Sequence, residues 1–586
     1  MARNSYSSNL ALLCAGFALL CALCGAQARK NNLQDSPIQV VATVKIMRSY
    51  RSLKAIRGKR AFRSTHDTVE LHCPEVIDPT DGIWKPDPNC SVPLTRIARG
   101  DDEVTAFQRR YNVISGDKIA ATFDIRNRRK NDNNGDARRS LRTARENLVT
   151  DAILRPDSIQ VVERNNEPKE VYTGSPIQLR AVVYLVDFCG WKNPFRSAQA
   201  LRTYLFSENG AVEGNMQNYY RTCSYGKTIW DPKYVAVVGP LQLDCKGTVA
   251  NGALRYNFDA SKSCDTNELM YWRIGADTQA QKLAASDPNL SSILQWSQRR
   301  RVMMILPPET KCNFNGIADA SCVGSICRSF INTKSPLDVN VLFHELQHNH
   351  GLNHAGRNEL EYGDPTDPMG DSPASGQKVH CHNAPYNWRI GWARPIAGGL
   401  LTAANFTPAA NRFVLTIPAS GTTDMNMVIV NMGSSSPQAG ASFITYPKYF
   451  LSFRVRNVTF GGYDSGLSAA INQAVVIHKY DGTMNDRDAS KSTLVAIGGP
   501  RFDSFDPAFP ARDVWTGPFT PFNSTSGLGG GLRVKVVSVG PSSAVVEVCR
   551  MYSQTEGKPG SAECQANLDR DCDGKMASLD SDCNPK

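Results

Sequence analysis

The chain has 586 residues, 41% of them hydrophobic and 21% charged. Those proportions belong to folded globular protein with room for several domains, and they exclude a disordered or fibrous chain. The formal net charge of +11 does not argue for nucleic acid: the basic excess sits before residue 150, in runs such as RSLKAIRGKR and RNRRKNDNNGDARRSLR, without aromatic–basic interleaving or a nucleic-acid fold motif.

The N-terminus carries Arg3, an apolar stretch from Leu10 to Gly25 and the small-x-small sequence Ala26-Gln27-Ala28. The stretch is shorter than the ~20 residues of a bilayer span, so residues 1–28 are predicted to be a removed secretory signal. No later segment is apolar for long enough to span a membrane, and the mature chain is expected to be secreted. Three of the 17 cysteines, Cys14, Cys21 and Cys24, leave with the signal. The remainder is even in number and has no C-x-x-C pair, which fits disulfides in an oxidising compartment rather than a cysteine zinc site. N-x-S/T sequons at Asn89, Asn289, Asn405, Asn457 and Asn523 are candidate N-glycosylation sites.

Residues 29–150 alternate short β-type runs (IQVVATVKIM, DTVELHC, KIAATFDI) with basic loops. Arg57-Gly58-Lys59-Arg60 and Arg126-Asn127-Arg128-Arg129 match a dibasic processing pattern and equally a solvated charge run. The region is read as a β-rich propeptide with a basic linker. Over 175–396, the continuous apolar runs LRAVVYLVDF, YVAVVGPLQL and RVMMILPP alternate with segments of helical spacing, predicting an α/β layer. Over 397–550, short β runs divided by Gly, Pro, Asn and Asp predict an all-β, sandwich-like domain. Residues 551–586 form a small tail rich in cysteine and aspartate.

Residues 341–356, VLFHELQHNHGLNHAG, hold four of the chain's nine histidines. SPLDVNVLF leads into a predicted helix, with Ser335 or Asp338 as its cap. His344 and His348, four apart, share a helix face and can grip one cation, with Glu345 placed as a general base rather than a ligand. Gly351 can end the helix in a left-handed turn that swings His354 back as a third ligand. Three histidines leave a coordination position open, as in catalytic zinc sites. His350 points to another side of the helix and is read as a packing or surface residue.

The extended H-E-x-x-H-x-x-G-x-x-H pattern resembles the metzincin clan of zinc endopeptidases, whose methionine turn is matched by Met369 in EYGDPTDPMGD. HELQHNHGLNHAG, YGDPTDPMG and the distal YFLSFR…YDSGL…VVIHKYDG together look like gametolysin, the peptidase M11 family. The resemblance implies an α/β chain with an α+β metzincin-type catalytic domain. It also implies His344, His348 and His354 as zinc ligands, Glu345 as base, Met369 as the turn, and hydroxyproline-rich glycoproteins of a cell wall or extracellular matrix as protein substrates. A catalytically silent, matrix-binding protein is the alternative, against which the intact Glu345 argues.

Many metzincin zymogens block zinc with a propeptide thiolate. Cys73 is the candidate here, unless it pairs with Cys90. In the tail, Asp569, Asp571, Asp573, Gly574, the Lys575 carbonyl and Asp580 fill places of an EF-hand-like calcium loop. The last place holds aspartate rather than glutamate, and the flanking apolar helices are missing. Cys549, Cys564, Cys572 and Cys583 are expected to form two bridges around it. A solvated acidic tail is the other reading.

Overall fold

The computed structural model describes residues 38–50, 67–125 and 152–584, apart from short stretches at 91, 93–94, 166–169, 207–212, 297, 334–336, 371–376, 434–446, 485–489, 500–513, 567 and 577–578. The expected signal and both dibasic runs lie outside these residues. The chain separates into a small unit, residues 1–39 with 122–156, and a large one, residues 40–121 with 157–586. In the small unit, residues 123–125 run antiparallel to the strand Ala152–Leu154.

The large unit is organised by one mixed sheet. Its main path runs through β1 (Ile38–Tyr50), β2 (Thr68–His72), β3 (Thr95–Arg99), β4 (Ala181–Asp187), β5 (Val235–Gln242), β6 (Arg300–Leu306), β7 (Gly316–Asp319) and β8 (Ile326–Asn332). Their order is β5-β4-β6-β8-β7-β1-β2-β3. The four strands β5, β4, β6 and β8 are parallel, and β4, β6 and β8 are buried along their whole length. That explains their unbroken apolar character: a parallel strand covered on both faces has no polar side to show. Strand β7 turns back antiparallel to β8. Beyond it the sheet continues through β1, whose Met47, Arg48, Ser49 and Tyr50 stand opposite Asp319, Ala318, Ile317 and Gly316.

Alternation along β4 feeds two cores. Val183 and Leu185 pack on one face with helices α1 (Met216–Cys223) and α3 (Val339–Asn349), through Tyr219, Tyr220, Leu342, Phe343 and Leu346. Val182 and Tyr184 pack on the other face with α2 (Thr266–Ala284), through Leu269 and Trp272. Helix α2 starts at a capping box, Asp265 with Glu268.

After the short helix α4 (Ala384–Arg389) come two β-sheets. One contains β9 (Arg394–Thr402), β11 (Met425–Asn431), β12 (Lys448–Arg454), β13 (Ala474–Lys479) and β14 (Thr493–Gly498). The other contains β10 (Arg412–Pro418), β15 (Leu528–Val539) and β16 (Ser543–Met551). Val428, Leu451 and Val475 of the first pack with Val534, Val546 and Val548 of the second in one cluster. The first sheet also reaches the histidine loop: Gly356 and Arg357 add to β14 opposite Thr493 and Leu494.

The disulfides join Cys73–Cys90, Cys189–Cys245, Cys223–Cys381, Cys264–Cys312, Cys322–Cys327, Cys549–Cys572 and Cys564–Cys583. The first of these corrects the expectation of a latency thiolate at Cys73. Its sulfur is bonded to that of Cys90, its N–H donates to Asn251 Oδ1, and it offers no metal ligand. The last two are the expected bridges of the tail. Among the described residues no helix is long and apolar enough to cross a membrane.

Candidate metal centre

Helix α3 begins where Asp338 accepts the backbone N–H of Asn340, so Asp338 is the cap. It ends in a Schellman arrangement: Gly351 N–H donates to the His348 carbonyl and Leu352 N–H to that of Gln347. Gly351 sits at φ +80°, a left-handed conformation that glycine adopts without penalty. The reversal returns His354 to the helix face, where its Nε2 lies 3.1 Å from that of His348. Ring centroids of His344 and His348 are 4.8 Å apart, and those of His344 and His354 are 5.5 Å apart.

Each imidazole is held by its other nitrogen. His344 Nδ1 meets the Pro368 carbonyl at 2.7 Å, His348 Nδ1 the Leu352 carbonyl at 2.8 Å, and His354 Nδ1 a Glu361 oxygen at 2.5 Å. Carbonyls and carboxylates only accept, so every Nδ1 carries the proton and every Nε2 presents a lone pair. The ligand atoms of the three rings lie within 4.8 Å of one another, and His344 Nε2 is buried without any partner. This donor set fits a zinc ion, including the outer partners that orient its histidines. Burial first, then the neighbouring imidazoles, holds His344 and His348 well below the usual histidine range. Burial lowers His354 to about 3. All three are therefore neutral, the form that binds metal.

Glu345 is fully buried, and neither carboxylate oxygen has a hydrogen-bond partner. Burial, then the charge of Asp67, raises its carboxyl well above the usual range. Gly316 of β7 makes room for it: a Cβ there would stand 2.4 Å from Glu345 Oε1. His350 caps the helix away from the cluster, packed near Tyr220 and Trp392 with Nε2 3.3 Å from Arg301 Nη2.

Met369 lies in a tight turn. Its N–H donates to Asp367 Oδ1 at 2.7 Å, and its carbonyl accepts from Ala355 N–H, next to His354. Its side chain is buried in the core that includes Leu346, Leu352 and Tyr386. The turn is pinned by buried polar pairs: Asp367 with His382, and Asp364 with His478 of β13 at 2.9 Å. Glu361, which orients His354, had a faint signal in the sequence as a carboxylate between the third histidine and the methionine turn.

Other residues of the site have no local sequence signal. The Tyr50 ring lies 4.5 Å from that of His344, and the Tyr50 carbonyl accepts from Asn315 N–H at 2.8 Å. Tyr362 donates its hydroxyl to the Ser49 carbonyl. Buried Arg48 pairs with Asp67 at 2.8 Å and Asp101 at 2.6 Å. These two aspartates, His354 and Glu361 form a second group with ligand atoms within 4.8 Å of one another. Under this cover His344, Glu345, His348 and His354 are at most 1% exposed.

In the tail, Asp571 belongs to two carboxylate groups, one with Asp569 and Glu556, the other with Asp573 and Asp580. Lys575 donates its N–H to Asp573 Oδ1. The sequon residues Asn89, Asn289, Asn405, Asn457 and Asn523 are all exposed.

The profile of the family described as Gametolysin peptidase M11 matches residues 178–496. The chain is also similar to Autolysin from Chlamydomonas reinhardtii, 35% identical in an alignment that covers 88% of each protein.

Proposed function

The chain belongs to the gametolysin peptidase M11 family and is thus a peptidase; from this we propose a secreted zinc metalloendopeptidase, made as a zymogen, that hydrolyses cell-wall or extracellular-matrix glycoproteins rich in hydroxyproline. The observation that carries the reading is the convergence of three neutral imidazoles, each held at Nδ1, beside an unpartnered buried carboxylate. His344, His348 and His354 would hold the zinc. When bound, zinc supplies a Lewis acid that polarises the scissile carbonyl and acidifies water.

The chain's own residues do the rest. Glu345 takes a proton from the attacking water at a carboxylate oxygen and passes it to the leaving amine nitrogen. Gly316 keeps that carboxylate in place by having no side chain. Met369 and Pro368 fix the floor on which His344 is oriented. Strand β7 offers an extended substrate its backbone groups, which β1 now occupies by pairing. This supports reading residues 29–150 as a propeptide that blocks by strand addition rather than by a thiolate. The relative's name, Autolysin, favours a substrate in the producer's own wall or matrix.

The test compares processed wild type with Glu345→Ala on hydroxyproline-rich wall glycoprotein and on a general protein substrate, with and without a zinc chelator. Wild type should cleave both, lose activity to the chelator and regain it with zinc, while the variant stays inactive. Equal activity in both proteins overturns the mechanism. Cleavage of the general substrate alone overturns the substrate class.

A further inference from the structure

The tail combines a spaced-aspartate loop with buried oxygens that have nothing to bind. Asp569, Asp571, Asp573 and Gly574 curl into a tight loop, with Gly574 at φ +92°. One oxygen of each aspartate holds the backbone: Asp569 accepts from Gly574 N–H at 3.0 Å, Asp571 from Asp573 N–H at 3.0 Å, and Asp573 from Lys575 N–H at 2.7 Å. Asp580 likewise accepts from Asp582 N–H at 2.6 Å.

The remaining oxygens are the anomaly. Asp569 Oδ1, Asp580 Oδ2 and Glu556 Oε2 are buried without a partner, on residues 7%, 2% and 1% exposed. A buried carboxylate oxygen facing other carboxylates costs free energy unless a cation sits among them. Only part of the charge is met by protein: Arg412 pairs with Asp569, and exposed Lys575 lies 3.4 Å from Asp573.

Glu556 lies outside the loop pattern and has no motif of its own. It follows the last strand, β16, and uses Oε1 to accept the N–H of Arg570 at 2.6 Å. Its carboxylate reaches the loop from the side, and its ligand atom lies within 4.8 Å of those of Asp569 and Asp571. Asp571, Asp573 and Asp580 form a second group with the same limit, and Asp571 is common to both. Opposed oxygens on one calcium stand about 4.8 Å apart, given Ca–O distances near 2.4 Å. All donors are oxygens, which selects a hard cation. A set tied irregularly to backbone suits calcium rather than the strict octahedron of magnesium.

We propose that the tail is a calcium site in which Glu556, Asp569, Asp571, Asp573 and Asp580 hold the ion, Glu556 supplying the carboxylate that the short Asp580 cannot extend. The bound ion ties the loop to the end of β16, where Cys549–Cys572 and the bond from Asn411 Nδ2 to the Asp569 carbonyl already join it to the β-sheet. Calcium at the concentrations of extracellular fluid is then what makes the C-terminal segment resistant to proteolysis.

The experiment uses the full zinc-loaded chain, so that the histidine site is filled, and titrates it with calcium chloride by calorimetry and thermal unfolding. Wild type should bind with Kd of about 0.1–1 mM, as extracellular modules do, with a rise in Tm and slower release of the tail by trypsin. Magnesium at equal concentration should not substitute. Glu556→Gln and Asp571→Asn should each weaken calcium binding about tenfold or more. Without calcium, Glu556→Gln should be at least as stable as wild type, because it removes a charge from an uncompensated cluster. No calcium-dependent change in wild type, equal effects of magnesium, or unchanged calcium response in both variants overturns the assignment. A Glu556→Gln protein less stable than wild type without calcium overturns the role given to Glu556.

Discussion

The ring of Tyr50 lies 4.5 Å from the imidazole of His344, at an interplanar angle of 50°. A residue near the start of the chain thus covers one of the three clustered histidines, and the cover is part of the sheet, not a loop laid over it. Its strength has a specific source in Arg48, which is buried and paired with Asp67 and Asp101.

Removing that guanidinium should loosen the cover. Arg48→Ala takes the buried guanidinium away from Asp67 and from Asp101, which keeps only Lys491 as its cation, and breaking a buried pair of this kind costs about 3–5 kcal/mol. The unprocessed chain carrying Arg48→Ala should show peptidase activity at least about tenfold above the unprocessed wild type. Assay of both forms on a general protein substrate, with intact mass confirmed, checks this. A variant zymogen as silent as wild type would refute blocking by β1.

Gly316→Ala should damage catalysis while sparing the metal. The new Cβ would stand 2.4 Å from Glu345 Oε1, so the carboxylate must move. Misplacement of a reacting group by about 1 Å costs about 100-fold in rate. In the processed enzyme kcat should fall to that extent with zinc content unchanged. An unaltered kcat would show that Glu345 tolerates displacement and is not the base.

Glu361→Ala should act through the metal. With its acceptor gone, His354 Nδ1 loses the partner that fixes its orientation. Outer partners of this kind are worth about 10–100-fold in metal affinity or activity. Competition with a chromophoric chelator should show weaker zinc retention, and excess zinc should restore part of the activity. Unchanged zinc affinity would remove Glu361 from the site.

Acid stability should depend on Glu170. Burial alone would raise its carboxyl, but the buried Arg301 guanidinium holds it at about 2, against 4.5 for an ordinary glutamate. A depressed carboxylate stabilises the fold above its unfolded pKa, and that contribution is lost as pH falls toward the folded value. The difference corresponds to at most about 3 kcal/mol. Between about pH 5 and pH 2, denaturant unfolding of wild type should lose more stability than that of Glu170→Gln. Parallel losses in the two proteins would exclude the pair as a pH-sensitive element.

How much of this was legible in the sequence follows from the range of the interactions. The histidine helix, its Asp338 cap and the Gly351 reversal are set within a few residues of one another, so spacing and residue type were enough. The buried strands at 181–187 and 300–306 announced themselves by unbroken apolar runs. The pairing of Tyr50 with Gly316 spans hundreds of residues and leaves no periodic trace in either segment. The acceptor role of the Pro368 carbonyl and the place of Glu556 beside the aspartate loop likewise leave no local trace. Each depends on which surfaces the fold brings together, and neither composition nor local pattern encodes that.

Were the chain cut at Arg57-Gly58-Lys59-Arg60, the two ladders of β1 would put time between cutting and activity. Arg57-Gly58-Lys59-Arg60 lies in the connection from β1 to β2, so scission there severs a covalent link between strands that stay joined, Val44 to Leu71 and Ile46 to Val69. On the other side β1 remains zipped to β7. The peptidase would then start on a delay governed by strand dissociation, a first-order clock indifferent to how much processing enzyme is present. A burst of cleavage would become a scheduled onset of wall digestion rather than an immediate one.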